Sequence, residues 1–397
     1  MDRLRAIVRS GLRALVLVGV LALGLAPAAS AHAQMMGGMG RLLEPPVNSE
    51  DISTMNELLD IPEDQRAIID DLFQGFMNKH EKAKDQLLEI FQKAREEAER
   101  SRDWSVWRDV QIKAIEFIEY QQSLVDDLFM DVKLTLSDER LESWPAFARA
   151  HRRAHVLDTG QNILSGSTVD IVRLVDDVEL DADVSDVLTR YATELDRLLV
   201  KREAMTREHL EKSAEIMSQG DGWMSSMDEW AVLFDEGRDL EKEVLDLNTR
   251  YARLLEARLQ GDDKDAFDRE FNRRAMPAIY GETYVDQAFD AAMGIEDLSD
   301  EQREQATELL ANYEREADVI RGEWATALTD WQTSVEMMQM FGGQRQGNEE
   351  TREHKRAKAE LDERYYERLR EILTETQVTL LPEREESDWR NTTTFGQ

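Results

Sequence analysis

Two histidines have the spacing best suited to chemistry. His151 and His155, in the run HRRAH, lie at i and i+4, which sets both imidazoles on one helix face at a separation that can chelate a divalent cation. Arg152 and Arg153 stand between them and disfavour a cation, and no acidic third ligand is obvious nearby. The expectation is an ordinary surface pair, with no metal site and no cofactor. The run Asp181-Ala182-Asp183-Val184-Ser185 opens like a calcium loop, but it lacks the central glycine and has Ala192 where the bidentate glutamate belongs. Softer ligands gather elsewhere. Met337, Met338 and Met340 with Phe341 precede Gly342-Gly343, and Met35, Met36 and Met39 lie near the start of the chain. Thioethers can bind Cu(I), fill a helix interface or offer an adaptable apolar contact surface. Six tryptophans fall in pairs: Trp104 and Trp107, Trp223 and Trp230, Trp324 and Trp331. The last two pairs are seven residues apart, on one helix face, where the rings either fill a core or form an apolar patch suited to a partner. These tryptophans, the methionines at 337, 338 and 340, and Phe341 are the candidate partner-binding residues.

Catalysis finds little support in the residue types. The chain has no cysteine, which removes thiol nucleophiles, disulfides and cysteine-built metal sites. No nucleophile elbow, H-E-x-x-H pair or phosphate-binding loop is present. The expectation is a protein that is not an enzyme. The 397 residues carry 83 acidic and 49 basic side chains, a formal charge of −34. Such a balance repels nucleic acid and anionic lipid, so neither is an expected partner.

The address is written in residues 1–33, which read as a cleaved secretory signal peptide. Arg3, Arg5, Arg9 and Arg13 form the basic start, Ala14 to Ala29 an apolar run broken by Pro27, and Ala31-His32-Ala33 the cleavage site. The apolar run is short for a membrane span. Cleavage takes away Asp2 and four arginines, leaving 82 acidic against 45 basic side chains, a charge of −37. The expected location is the bacterial cell envelope, secreted or periplasmic, with no membrane insertion after cleavage. ATP is absent from that compartment.

The elements that must position these residues are helices. After a flexible Met/Gly/Pro leader over 34–56, the remaining prolines 62, 145, 277 and 382 leave three proline-free stretches of 82, 131 and 104 residues. Helix interiors exclude proline, so long helices leave such gaps. Ile61, Gln65, Ile68, Ile69, Leu72, Phe73 and Phe76 lie on one helical stripe, Leu180, Val184, Val187, Leu188, Tyr191, Leu195, Leu198 and Leu199 on another, and Leu298, Gln302, Ala306, Leu309, Leu310 and Tyr313 on a third. The fold expected is all-α. Two short motifs recur at a common offset of 237: Ile61–Gln65 with Leu298–Gln302, and Leu136–Arg140 with Leu373–Gln377. A more divergent middle copy starts at Leu180. Three tandem long helical hairpins follow, over 57–158, 159–285 and 286–385, with a polar tail at 386–397. Their tips fall near 100–103, 219–222 and 342–347, and the linkers between them over 159–167 and 278–294.

Ser299 and Thr374 in these motifs have the chemistry of helix N-caps, with Gln302 and Gln377 placed to complete a capping box. Leu373-Thr374-Glu375-Thr376-Gln377 also resembles the LTxxQ signature of the small periplasmic Spy/CpxP-like proteins. The motif residues are Ile61, Gln65, Leu298, Ser299, Gln302, Leu373, Thr374 and Gln377. Pro62 replaces the cap residue in the first copy, Arg140 replaces the second glutamine, and the middle copy at Leu180–Val184 loses both. A tandem triple also departs from the family's usual single hairpin, which dimerises into a thin curved cradle. The resemblance implies ATP-independent chaperone activity or envelope-stress sensing, with metal-responsive relatives as a further branch. The leading expectation is an exported chaperone or stress-response protein that binds unfolded or partly folded clients on acidic amphipathic helices. The alternatives are a structural scaffold of the envelope and a soft-metal (copper) binding or sensing protein. Self-association into a homo-oligomer is compatible with each.

Overall fold

The computed structural model describes residues 42–102, 106–158, 162–180, 182–218, 226–336 and 347–382. Among these there is no strand and nearly every residue is helical, so the protein is all-α. The expected signal peptide, residues 34–41 of the expected leader, the expected polar tail and parts of all three expected tips lie outside the described residues. No helix among those described is long and apolar enough to cross a membrane.

The chain forms two compact units. The first runs to Ile163 and resumes over Ser167–Asp263; the second takes Leu164–Gly166 and the chain from Lys264. That boundary falls inside the segment 159–285 expected as one hairpin. The first unit holds α1 (Ser49–Leu58), α2 (Glu63–Ser101), α3 (Val106–Thr135), α4 (Asp138–Val156), α5 (Ile171–Val178), α6 (Ser185–Ser218) and α7 (Met227–Glu256). α8 (Asp262–Ala275) straddles the boundary. The second unit continues with α9 (Pro277–Tyr280), α10 (Tyr284–Met293), α11 (Asp300–Ser334), α12 (Glu349–Ile372) and α13 (Glu375–Val378).

Long helices pack in three antiparallel pairs: α2 with α3, α6 with α7, and α11 with α12. The pairing follows from the apolar stripes. Ile69, Phe73 and Phe76 of α2 meet Leu124, Leu128 and Phe129 of α3 in one core. Ala306, Leu309 and Tyr313 of α11 meet Leu361, Tyr365 and Leu369 of α12 in another. Toward the first tip, Leu87 and Phe91 join Val110, Ala114 and Ile118, with Leu210 of α6 closing the cluster. Ile68 is the exception on its stripe and faces solvent. α2 stops at Ser101, where Arg102 turns left-handed at φ 55° and its N–H caps the Ala98 carbonyl.

Three sequence expectations change. The leader expected to run to residue 56 is packed from Val47 onward, because Ser49–Leu58 is helix α1 and buries Ile52 and Met55. Its capping box is reciprocal: Asn48 accepts from Asp51 N, and Asp51 accepts from Asn48 N at 2.8 Å. The stretch 278–294, expected as a linker, holds α9 and α10, whose Val285, Ala288, Phe289 and Ala292 are buried. Thr283 and Asp286 form the same capping box there. Finally, Pro145 does not bound a helix. α4 runs through it, leaving one missing N–H at the start of the third turn.

Candidate functional site

The recurring motifs build a clasp at the open end of a helix pair. In the second unit Gln302 Oε1 accepts from Ser299 N at 3.1 Å, while Gln302 Nε2 donates to the Ile372 carbonyl at 2.8 Å and to Gln377 Oε1 at 3.0 Å. Gln377 mirrors it: its Oε1 accepts from Thr374 N at 2.9 Å and its Nε2 donates to the Asp297 carbonyl at 3.3 Å. Each glutamine thus caps its own helix and ties down the other one. The capping reading of the motif holds, and the side-chain nitrogen adds a cross-tie. Leu298 and Leu373 are buried beneath the clasp.

The first unit repeats the cross-ties 237 residues earlier. Gln65 Nε2 donates to the Thr135 carbonyl at 3.4 Å, and Arg140 Nε donates to the Asp60 carbonyl at 3.0 Å. Asp60 and Thr135 are the positions equivalent to Asp297 and Ile372. Both halves of the cap are lost, because the N-cap residue is Pro62, which has neither a side-chain acceptor nor an N–H to offer. Gln65 Oε1 is accordingly buried without a hydrogen-bond partner, beside the buried Ile61.

The candidate partner-binding residues divide. Trp230, Trp324 and Trp331 are buried, at 2, 8 and 7 % exposure, so their rings fill helix interfaces and present no apolar patch. Trp107 is half-buried against Phe91, ring centroids 6.1 Å apart. Trp104, Trp223, Met337, Met338, Met340 and Phe341 lie outside the described residues.

The histidine pair is not a surface pair. α4 packs against α1, and this brings Asp51, a hundred residues away, onto both rings. His151 Nδ1 lies 3.1 Å from Asp51 Oδ1; His155 Nε2 lies 2.8 Å from Oδ1 and 2.9 Å from Oδ2. The side chains are 8, 6 and 13 % exposed for His151, Asp51 and His155. The two rings sit 4.5 Å apart, and Phe129 meets His151 edge-on at 5.1 Å while Phe147 stacks on it at 6.0 Å. Among the described residues this is the one place where three potential metal ligands converge, all donor atoms within 4.8 Å of one another. Searches against family models, curated proteins and solved structures found no match. The site therefore stands on its own geometry.

Burial works against charge on Asp51, but its hydrogen bonds with His151 and His155 outweigh that and hold the carboxyl well below the usual carboxylate range. Burial pushes the His151 ring down, against the opposing hydrogen bond to Asp51. The arginines that argued against a cation are occupied elsewhere. Arg152 forks onto Asp196 at 2.8 and 3.3 Å, and Arg153 bonds Asp170 at 3.2 Å. Chemically, an ionised carboxylate beside two imidazoles can act as a buried hydrogen-bond hub or as a chelate. Sequence reasoning found the two histidines and missed the third group. The signal available was the N-x-x-D capping pattern at Asn48–Asp51, which announces a helix start with an acid on it.

Other buried polar groups belong to helix pairs. In α11/α12, Lys358 Nζ bonds Asp362 Oδ1 at 2.6 Å and Tyr313 OH at 3.0 Å, and Tyr313 OH donates to Asp362 at 2.9 Å. In α6/α7, Tyr191 OH reaches Asn248 at 3.0 Å and the Val169 carbonyl at 3.1 Å. Outside each lies a matching tie: Tyr251 and Arg250 on Glu194, Tyr365 and Arg364 on Glu316. Glu203 on α6 is buried 4.0 Å from Arg152, and burial pushes its carboxyl up to about 7.

Proposed function

We propose that the chain is an exported, ATP-independent binding protein of the LTxxQ (Spy/CpxP-like) type, made of tandem clasped helical hairpins, which captures partly unfolded protein segments. The observation that carries this reading is the clasp: side chains of the resembling motifs make the same cross-ties at Gln65 and Gln302, and at Arg140 and Gln377, one repeat length apart. The matched Tyr–Glu–Arg ties of α6/α7 and α11/α12 support a third copy.

Capture needs a surface that attracts basic, apolar chain segments. On α3 the exposed residues Asp127, Met130, Asp131 and Leu134 stand at i, i+3, i+4 and i+7, one stripe that alternates acid with apolar side chain. Met130 is 59 % and Leu134 80 % exposed. The net charge supplies long-range attraction to basic segments, and the methionine and leucine supply contact. These two residues take the role first assigned to the tryptophans.

The test is suppression of aggregation of a chemically denatured client, without ATP, at low and high salt. Suppression near one-to-one stoichiometry that weakens with salt, and weakens further in Met130→Ser/Leu134→Ser, supports capture. No suppression at several-fold excess in low salt removes this reading and leaves the scaffold role, with the motifs acting only as helix caps and ties.

A further inference from the structure

We propose that Asp51, His151 and His155 form a binding site for a borderline divalent transition-metal cation such as Zn(II), Co(II) or Ni(II), held by two imidazole nitrogens and one carboxylate oxygen. The proposal does not rest on the capture reading.

The geometry fits such a cation closely. The nitrogen–oxygen separations are 2.8 to 3.1 Å. A cation bonded to each donor at about 2.1 Å sets donors about 3.0 Å apart at the right angle of an octahedral ion. At the tetrahedral angle that Zn(II) favours the spacing is about 3.4 Å, which asks the groups to part by a few tenths of an ångström. Each imidazole nitrogen can therefore share a cation with Asp51 Oδ1 with little movement, and all three donor atoms lie within 4.8 Å of one another. The i, i+4 spacing on α4 fixes the two rings relative to each other. The carboxylate is fixed independently, because Asp51 Oδ2 accepts from Asn48 N at 2.8 Å in the α1 cap. That bond is the outer-shell support that orients a ligating carboxylate.

The donor set selects the class of ion. Two nitrogens and one oxygen suit Zn(II), Co(II), Ni(II) or Fe(II), while a soft Cu(I) prefers thioethers and Ca(II) prefers more oxygens. Phe129 and Phe147 wall the His151 side. His155, the most exposed of the three, marks the side from which the ion enters and on which water completes the sphere. Entry is balanced without loss of a proton from neutral rings. Each imidazole moves its N–H to its far nitrogen and gives the freed lone pair to the cation, so two hydrogen bonds to Asp51 are exchanged for bonds to the metal.

The test is equilibrium binding of Co(II) and Zn(II) to the full chain, followed by calorimetry and by the cobalt absorption spectrum. The expected result is one equivalent bound with an imidazole-ligated cobalt spectrum, at least about ten-fold weaker in His155→Gln and unchanged in His354→Gln. His155 is the ligand least buried, which spares the core. Should His155→Gln lose its helical circular dichroism, the wild-type chain decides alone: bound Co(II) must shift the ring protons of two histidines in the NMR spectrum. Absence of a one-equivalent site, binding equal in wild type and a folded His155→Gln, or cobalt that shifts no histidine signals overturns the proposal.

Discussion

Helices α1 and α10 begin alike and end in different chemistry. Each precedes a long helix pair, and each opens with a capping box whose third residue is an aspartate, Asp51 after Asn48 and Asp286 after Thr283. In α10 the Asp286 carboxylate is engaged locally: Oδ2 accepts from both the N–H and the hydroxyl of Thr283 at 2.8 Å, with Arg321 4.0 Å from the same oxygen. The buried charge next to it, Asp362, has its own cation in Lys358. In α1 the cap likewise uses Oδ2, but both carboxylate oxygens also face imidazoles, Oδ1 meeting His151 and His155 and Oδ2 meeting His155. A capping box fixes where an acid sits, and the neighbours then decide what it does. Where an internal cation answers it the acid is structural; where imidazoles answer it, a cation from solution can.

The largest expected effect breaks the internally compensated side. Lys358→Ala leaves Asp362 buried without its cation and should cost about 3–5 kcal/mol in urea unfolding, whereas Lys358→Met with Asp362→Leu should be near neutral or stabilising. If the single change costs under about 1 kcal/mol, Lys358 is not the compensating charge.

Glu203 sharpens the contrast as a buried acid with no cap, which Arg152 meets only at 4.0 Å. Arg152 and Arg207 lower its carboxyl and Asp196 and Asp126 raise it, but desolvation dominates and sets it at about 7. The folded value lies above the unfolded one near 4.5, so the folded chain holds the proton more tightly. This group's contribution is fully present below about pH 4.5 and is lost as pH rises through about 7, at most about 3 kcal/mol. Glu203→Gln should therefore gain stability at pH 8 and little at pH 4.5 in chemical unfolding. Equal gains at both pH values contradict the assignment.

The clasps predict smaller, unequal effects. Gln302→Ala removes two cross-ties and half a cap and should cost about 1–2 kcal/mol, more than Gln65→Ala, whose cross-tie is longer and whose Oε1 is unsatisfied. Pro62→Ser restores both a capping hydroxyl and an N–H for Gln65 Oε1. It should stabilise by up to about 1 kcal/mol in thermal melts, the gain being reduced by the chain freedom that proline had removed.

Much of the fold was legible because helices announce themselves by period. The stripes through Phe73, Tyr191 and Tyr313 are the cores of the three pairs, and the 237-residue offset of Gln65 and Gln302 proved to match their hydrogen bonds. The second and third pairs are not related by one offset. Tyr191 and Tyr313 are 122 residues apart but Tyr251 and Tyr365 only 114, so the register slips by eight across the tip. The short helices hid inside stretches read as leader and linker, although N-x-x-D and T-x-x-D were there to be seen. The metal-like cluster was illegible for a different reason. His151 and His155 show a local spacing, but their partner Asp51 arrives through the packing of α1 on α4, and no sequence period connects them.

Amide hydrogen exchange of the full chain, with and without one equivalent of Zn(II), tests the comparison most directly. The account predicts that zinc slows exchange over Ser49–Leu58 and Asp138–Val156 and leaves Tyr284–Met293 and Glu349–Ile372 unchanged. Slowing over the second set alone, or no change over the first, would contradict it.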